Sequence, residues 1–187
     1  MADARPLRAD ARRNRAAIVA AARDVFDRDE QVRFDDFAAR AGVGVGTLYR
    51  HFPTREALAA AVYEGEVSAL CDEARDPARS AADNLDALLR GFVRYVVEHA
   101  ALARTLAAVV TPGVQAEGGL ELERTVADLL ARAAADGAIR DDVAVGAVMI
   151  VLHGIGSATD RPHWAAEAPA SVELLIAGLR AGRPLAL

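Results

Sequence analysis

Apolar side chains recur along this chain with a period near 3.6 residues, whereas the strict alternation that is typical of β-strands is scarce. Two stripes near the start have this helical spacing and are formed by Ile18, Ala22, Val25 and Phe26 and by Phe34, Phe37, Ala38 and Ala41. They predict helices over about residues 11–28 and 35–41. Gly42 follows the second stripe, and a glycine in this position commonly ends a helix.

A third and shorter stripe is formed by Val45, Leu48 and Phe52. It predicts a short helix with these three side chains buried. Pro53 ends this helix, because the residue before a proline disfavours helical backbone. Thr54 is a favourable N-cap residue for a fourth helix, which is predicted over about residues 55–75. The N-terminal segment, residues 1–53, therefore holds three helices joined by short connections.

The C-terminal segment, residues 54–187, has the pattern of further helices with short loops between them. Beyond the fourth, the predicted helices cover about residues 80–99, 102–110, 120–136, 143–157 and 171–181. Ala168, Pro169 and Ala170 are predicted to form a loop before the last helix, which Ser171 would cap. The whole chain is predicted to be all-α, with eight or nine helices.

Composition and charge narrow the class of protein. Hydrophobic residues make up 53% and charged residues 26%, as in a folded globular chain. A single cysteine (Cys71), no apolar run at the N-terminus and no apolar stretch long enough for a bilayer predict a soluble cytoplasmic protein. Residues 1–55 hold 11 Arg against 8 acidic residues (+3), and residues 56–187 hold 11 Arg against 19 (−8). This asymmetry predicts that only the start of the chain meets a polyanion.

The segment Ala41–Leu58, AGVGVGTLYRHFPTREAL, has two interpretations: a glycine loop that binds a phosphate, or the corner of a helix-turn-helix. A dinucleotide-binding loop needs a preceding strand, and a helix is predicted there instead. A P-loop needs a lysine, and this chain contains none. The pattern therefore favours a helix-turn-helix. Thr47, Tyr49, Arg50 and His51 then lie on its outer faces, where they can reach base edges and phosphates.

This segment, with ARRNRAAIVAAARDVF and FDDFAARA before it, closely resembles the DNA-binding domain of TetR-family transcriptional regulators over about residues 10–60. The resemblance implies DNA contacts by Thr47, Tyr49 and His51 on the recognition helix. It also implies a phosphate contact by Arg55, where the family usually has lysine. Gly44 departs from the family, which often has a serine N-cap there. The predicted DNA-binding residues are Gly46, Thr47, Tyr49, Arg50, His51, Thr54 and Arg55.

The resemblance also implies the organisation of the chain. Residues 1–53 would form the helix-turn-helix DNA-binding domain. Residues 54–187, which faintly resemble the SbtR-type bodies of the family, would form a helical domain for effector binding and dimerisation. The implied partners are a double-stranded DNA operator, a small-molecule effector and a second copy of the chain, with no membrane and no cofactor. The almost wholly apolar helix over 143–157 fits a subunit interface, and a central core helix is the alternative.

Residues of the C-terminal segment that could line an effector pocket are Phe92, Tyr95, Val96, His99, Leu106, Met149 and Trp164. Tyr95 and His99 stand four residues apart on one predicted helix and could orient a polar group of a ligand, although most residues of this kind belong to a core. The four histidines have no partner at metal-ligand spacing, so no metal site is predicted. The string HGIGSA has glycine where a hydrolase nucleophile would stand, and no enzyme is predicted.

Together, the pattern and the resemblance predict a ligand-responsive DNA-binding transcriptional regulator, a repressor that a small molecule releases from a pseudo-palindromic operator. The alternative is a dimeric DNA-binding regulator without a small-molecule effector, controlled by a protein partner or by its own abundance. Ligand-induced thermal stabilisation separates the two hypotheses, because only the first includes an effector that binds the folded protein.

Overall fold

The computed structural model describes residues 4–28, 30–107 and 117–180, and at residues 4–8, 106, 107, 117 and 118 it describes the backbone alone. These residues form nine helices and no strand. The helices are α1 (Ala4–Asp27), α2 (Asp36–Arg40), α3 (Val45–His51), α4 (Arg55–Glu73), α5 (Ala81–Glu98), α6 (Ala100–Ala107), α7 (Glu117–Ala135), α8 (Val145–Ser157) and α9 (Trp164–Arg180). The prediction of an all-α fold is confirmed for this part of the chain.

The chain divides into two compact units, Met1–Tyr63, called the head below, and Glu64–Leu187, called the body. Helix α4 is continuous across this division. Its first turns group with α1–α3, and they carry the buried side chains of Leu58, Ala59 and Val62. The division between the units thus lies within α4, whereas the predicted domain boundary at 53/54 lies before it. As a boundary between functions, 53/54 stays a prediction.

In the head, α1, α2 and α3 pack against one another around apolar side chains. Ile18, Phe37 and Leu48 are fully buried and Phe52 is 3% exposed, so the predicted stripes are confirmed at these positions. The prediction of a buried Val45 is wrong, because this side chain is 44% exposed. Val45 is the first residue of α3, and its neighbours Gly44 and Gly46 are exposed as well.

The corner between α2 and α3 depends on Gly42, whose φ of +66° lies in the left-handed region that favours glycine. The Val43 N–H donates to the Ala38 carbonyl at 3.0 Å, and the Gly42 N–H donates to the Ala39 carbonyl at 3.2 Å. This pair of bonds is a Schellman motif, which satisfies the last carbonyl groups of α2. The prediction that Gly42 ends the second helix is confirmed, and Gly44 then serves as the N-cap of α3.

Side-chain caps fix the starts of two further helices. Thr54 Oγ1 accepts a hydrogen bond from the Ala57 N–H at 3.1 Å, which confirms Thr54 as the N-cap of α4. Ser80 Oγ accepts a bond from the Asp83 N–H, also at 3.1 Å, at the start of α5. Each acceptor stands three residues before its donor, so both caps are local features that a sequence can specify.

In the body, α5 is the central helix and packs against α6, α7, α8 and α9. Its fully buried side chains include Leu85, Leu88 and Leu89. Arg90 of α5 donates to both carboxylate oxygens of Glu173 on α9, at 2.6 and 2.9 Å. Arg180 of α9 donates to Asp86 of α5 at 2.6 Å. Burial raises the pKa of Asp86, and the nearby Arg180 and Arg90 oppose that rise. These two ion pairs join α9 to α5 beside the buried apolar contacts between the two helices.

Helix α9 differs from its predicted form, because it begins at Trp164 and not near Ser171. The predicted loop at Pro169 is therefore wrong, since Pro169 lies inside this helix. The missing N–H of Pro169 leaves the Ala165 carbonyl without its helical donor, but both residues are exposed and water can replace the bond. Ser171 is not a cap, and its hydroxyl donates to the Glu167 carbonyl at 3.1 Å.

Tertiary packing explains the early start of α9. The side chains that this helix buries are Trp164, Ala168, Val172, Ile176 and Leu179. Their spacing of three or four residues forms one continuous apolar face that includes the turn around the proline. The Trp164 indole N–H also donates to the Ile155 carbonyl on α8 at 2.7 Å. These contacts outweigh the local preference of Pro169 for a loop.

Gly44 offers a test of the cap geometry of α3. A Cβ atom at Gly44 would meet nothing within 4 Å, and its φ of −72° is accessible to every residue. Gly44→Ser should therefore stabilise the head by about 0.5 kcal/mol, because serine supplies the missing cap oxygen and restricts the unfolded chain. The matched variant Gly42→Ser should destabilise by about 1–2 kcal/mol, because its backbone is left-handed. The midpoint of urea unfolding, followed by circular dichroism, measures both, and a loss of stability in Gly44→Ser would contradict this geometry.

Candidate nucleic-acid interface

Helix α3 buries one side in the head and presents the other to solvent. Leu48 is fully buried, whereas Tyr49 is 47% exposed. Gly46 and Arg50 are also exposed, and Thr47 and His51 are half-buried. The five predicted DNA-contact residues of α3 therefore all reach the surface of the head. Val45, which the sequence places in the core, adds an apolar side chain to the same exposed end of the helix.

Tyr49 is held in place by two residues that precede α2. Its hydroxyl donates to Asp35 Oδ1 at 2.9 Å. Its ring meets that of Phe34 edge-on, with centroids 5.3 Å apart and planes at 82°. The hydrogen bond to Asp35 raises the pKa of Tyr49, so the phenol stays protonated and remains a donor. Asp35 and Tyr49 stand 14 positions apart, and sequence periodicity gives no signal for such a pair.

The arginine side chains of the head differ in whether they already pair with another side chain. Arg40 and Arg28 both pair with Glu30, at 2.6 and 3.6 Å, and Arg40 is the main cause of the lowered pKa of that carboxyl. Arg50 on α3 is exposed and has no ion pair among the described contacts. The Arg15 guanidinium of α1 lies 5.3 Å from the centre of the Phe52 ring, at the end of α3. The exposed side of α3 thus carries positive charge that can meet phosphates.

The start of α4 places Thr54 and Arg55 next in the chain after α3. Thr54 is exposed, and its hydroxyl oxygen is occupied as the cap of α4. Arg55 is half-buried and turns into the head. Its guanidinium lies 5.3 Å from the centre of the Phe26 ring and 5.2 Å from that of Phe37. Its Nη1 donates to the Val32 carbonyl at 2.9 Å. These contacts already occupy the Arg55 guanidinium, so a phosphate would compete with them for it. The phosphate contact implied for Arg55 stays a prediction.

Taken together, the seven predicted DNA-contact residues lie on α3 and at the start of α4, within one unit, the head. Helix α3 offers hydroxyl, guanidinium, imidazole and phenol groups, which are donors and acceptors that can read base edges. A two-turn helix supported from behind by α1 and α2 has the form of a recognition helix that enters the major groove. DNA contact by each residue stays a prediction.

Five of the seven predicted effector residues lie in the interior of the body, and His99 is half-buried. Phe92, Tyr95, Val96, Met149 and Trp164 are all less than a tenth exposed, on α5, α8 and α9. The Tyr95 and His99 rings are neighbours, with centroids 4.6 Å apart. The Trp164 N–H already binds a backbone carbonyl, which gives this residue a structural role. The side chain of Leu106 lies outside the described part of the chain.

Two clefts in the described part of the body are lined by other residues. One of about 310 Å³ lies between α4 and α5 and includes Arg79, Arg90 and Arg94. One of about 250 Å³ lies beside α7 and the start of α8 and includes Arg140 and Asp141. No group of His, Cys, Asp or Glu among the described residues is arranged to hold a metal ion. None of the described helices combines the length and the apolar character needed to cross a bilayer.

Two family models match the chain. Residues 18–62 match the model described as bacterial regulatory proteins of the tetR family. Residues 80–181, more than half of the chain, match the model described as the C-terminal domain of SbtR-like transcriptional regulators. The first match contains the whole helix-turn-helix, and the second contains all of α5–α9. The resemblance that the residues indicate is therefore confirmed.

Solved structures agree with these matches. A TetR transcriptional regulator from Streptomyces coelicolor is 36% identical with a TM-score of 0.62, over 90% of this chain and 99% of that one. A TetR regulatory protein from Mycobacterium vanbaalenii is 34% identical with a TM-score of 0.62, over 94% and 100%. FadR from Bacillus subtilis, solved in complex with stearoyl-CoA, shares the fold alone at 15% identity and a TM-score of 0.60, over 87% and 98%.

A curated relative adds a shorter match. An HTH-type transcriptional regulator from Staphylococcus aureus strain MRSA252 is 35% identical over 75 residues, which span 38% of this chain and 39% of that protein. The family models and the two structures above 30% identity cover both units, and all of them are transcriptional regulators. The chain therefore belongs to the TetR family of bacterial transcriptional regulators, with an SbtR-like C-terminal domain, and is not an enzyme.

Proposed function

We propose that this regulator is a homodimer that binds a pseudo-palindromic operator and represses transcription until a small molecule binds the body. The observation that carries the proposal is the exposed face of α3, where Tyr49 is fixed and Arg50 is available while Leu48 anchors the helix from behind. Such a face is suited to the major groove. Because its target is chromosomal DNA, we place the protein in the cytoplasm.

The proposed DNA contacts separate into two kinds. Thr47, Tyr49 and His51 are proposed to reach base edges or the adjoining backbone from α3, together with the exposed backbone at Gly46. Arg50 is proposed to neutralise a phosphate, because it is exposed and has no ion pair among the described contacts. Contacts of the first kind give sequence preference, and contacts of the second kind give affinity that salt weakens.

Exposed apolar side chains on the last two helices support the homodimer. Ile150 of α8 is 74% exposed and Leu174 of α9 is 75% exposed. Val151 on α8 is 37% exposed, and exposed Gly154 and Ala170 leave room for a close neighbour. Large apolar side chains that are exposed to solvent in a single chain are typical of a protein–protein interface. A two-fold axis would set two recognition helices about 34–36 Å apart, one turn of DNA.

An effector would act by binding one conformation of the dimer better than another. It shifts the equilibrium only by that difference in affinity, typically about 1–3 kcal/mol of coupling. The Tyr95–His99 pair supports a ligand role, because it adds polar groups to an otherwise apolar interior formed by α5, α8 and α9. Stearoyl-CoA bound to FadR, a protein of the same fold, shows that this architecture can hold a small molecule in that protein.

Fluorescence anisotropy on the DNA upstream of the regulator's own gene tests DNA binding directly. We expect preferential binding over a scrambled fragment, and we expect affinity to fall as salt rises, because phosphate contacts release counterions. A random-sequence DNA pool covers operators elsewhere in the genome. No preference for any sequence in that pool would contradict the proposal. Ligands that release the DNA and raise the melting temperature would favour effector control over the alternative of control by a protein partner or abundance.

Tyr49→Ala should weaken specific binding by about tenfold, or about 1.4 kcal/mol, while the dimer persists. The reason is that alanine removes the exposed ring and its edge contact with Phe34. Tyr49→Phe is the matched control, since it keeps the ring and removes only the hydroxyl that binds Asp35. We expect a smaller loss for this variant in the same anisotropy titration. Wild-type affinity in Tyr49→Ala would remove Tyr49 from the interface.

Ile150→Asp and Leu174→Asp test the dimer surface. Each should raise the dimer dissociation constant by about 100-fold, because an unpaired charge in an apolar interface costs several kcal/mol. The folded monomer should tolerate both, since the two positions are three-quarters exposed. Leu120→Asp is the control, because Leu120 is an exposed apolar residue of α7, outside the two last helices. Analytical ultracentrifugation measures the three variants, and dimers of unchanged strength in the first two would place the interface elsewhere.

A further inference from the structure

We propose that Arg55 is a positioning residue that fixes the start of α4 to the core of the head, in place of the phosphate contact that the family resemblance implies. The proposal takes DNA binding through α3 as given, and one of its readouts is independent of DNA. Under this proposal, Arg55 no longer counts among the residues that contact phosphates and instead holds the helices of the head in position.

Three contacts from different parts of the head converge on the Arg55 guanidinium. Phe26, near the end of α1, and Phe37, in α2, have ring centres 5.3 and 5.2 Å from it. Both distances lie within the roughly 6 Å over which a cation and an aromatic face attract. Nη1 donates to the Val32 carbonyl at 2.9 Å, in the connection between α1 and α2. One side chain thus joins α4 to α1, to α2 and to the segment between them.

The surroundings of the guanidinium are largely apolar. Phe26 is 3% exposed and Phe37 is fully buried, and their rings lie 6.0 Å apart. The Val32 carbonyl belongs to a connection that makes no helical hydrogen bond there, so the Arg55 donor satisfies a group that would otherwise need water. A side chain committed to these three partners is directed into the head and away from a phosphate on its surface.

In this chain, arginine can make the two aromatic contacts and the hydrogen bond together, and lysine cannot. A guanidinium is planar, so its faces can lie against aromatic rings while its N–H groups donate in the plane of the group. An ammonium is a compact and strongly hydrated charge that cannot make both kinds of contact over the same area. The two hypotheses therefore predict opposite outcomes for Arg55→Lys. A phosphate contact tolerates lysine, whereas lysine would lose part of the combined contacts with Phe26, Phe37 and Val32.

The consequence of these contacts concerns α4, the helix that continues from the head into the body. With Arg55 bound to α1, α2 and their connection, the first turn of α4 and the rest of the head behave as one rigid unit. Any displacement of α4 would then carry α3 with it, because α3 packs on the same α1 and α2. Arg55 thus acts on DNA binding through the position of α3.

The test compares Arg55→Lys and Arg55→Ala with the wild-type chain by two measurements. Hydrogen–deuterium exchange should become faster in peptides that cover the end of α1 and Val32 in both variants. Operator affinity should fall at least about threefold in Arg55→Lys, and the slope of log affinity against log salt should stay at the wild-type value in both. Arg50→Ala is the contrasting control, with a slope flatter by about 0.9 and unchanged exchange in the same peptides.

A different set of results would support the phosphate contact by Arg55. Wild-type affinity and wild-type exchange in Arg55→Lys, with a slope flatter by about 0.9 in Arg55→Ala, would overturn the proposal and restore the phosphate contact. If Arg55→Ala does not fold, Arg55→Lys decides alone. If the wild-type chain binds no DNA preferentially, the proposed operator function fails, and the exchange measurement still decides whether Arg55 holds the head together.

Discussion

The structure of the head depends on a left-handed backbone at one residue, Gly42. Helices α2 and α3 have five and seven residues, and helices this short are not stable alone in water. They persist because the corner at Gly42 directs both against α1, so that Phe37 and Leu48 are buried in one core. The exposed face of the recognition helix is a consequence of this burial: the side that carries Leu48 is fixed, so the side that carries Tyr49 and Arg50 must face solvent.

The sequence predicts the features of this head that arise from neighbouring residues. Gly42 as a helix end and Thr54 as a cap depend on bonds that span a few positions, and both are confirmed. The prediction is wrong at Val45, because periodicity cannot tell where the covering helices end. The bonds from Tyr49 to Asp35 and from Arg55 to Val32 join residues far apart in the chain. No local pattern encodes such pairs, and they require the packed structure.

In the body, too, local sequence patterns predict some features and miss others that depend on packing. Most of its helices are predicted with ends within a few residues, since their apolar stripes are long and regular. Helix α9 is the exception, where Pro169 predicts a loop and packing forms a helix through it. Five of the seven predicted effector residues are buried, but the pattern cannot separate a ligand cavity from a core. The residues of a ligand cavity and those of a core are both buried, and only the shape of the space between the side chains distinguishes the two.

The environment of Trp164 has a spectroscopic consequence. Trp164 is the only tryptophan of the chain, it is 7% exposed, and its N–H is bound to the Ile155 carbonyl of α8. The intrinsic tryptophan fluorescence of the protein therefore originates from a single buried indole at the contact between α8 and α9. A change in its emission reports rearrangement at that contact and contains no direct signal from α1, α2 or α3. The wild-type chain thus carries its own optical probe of the body, and observing the head requires a second label.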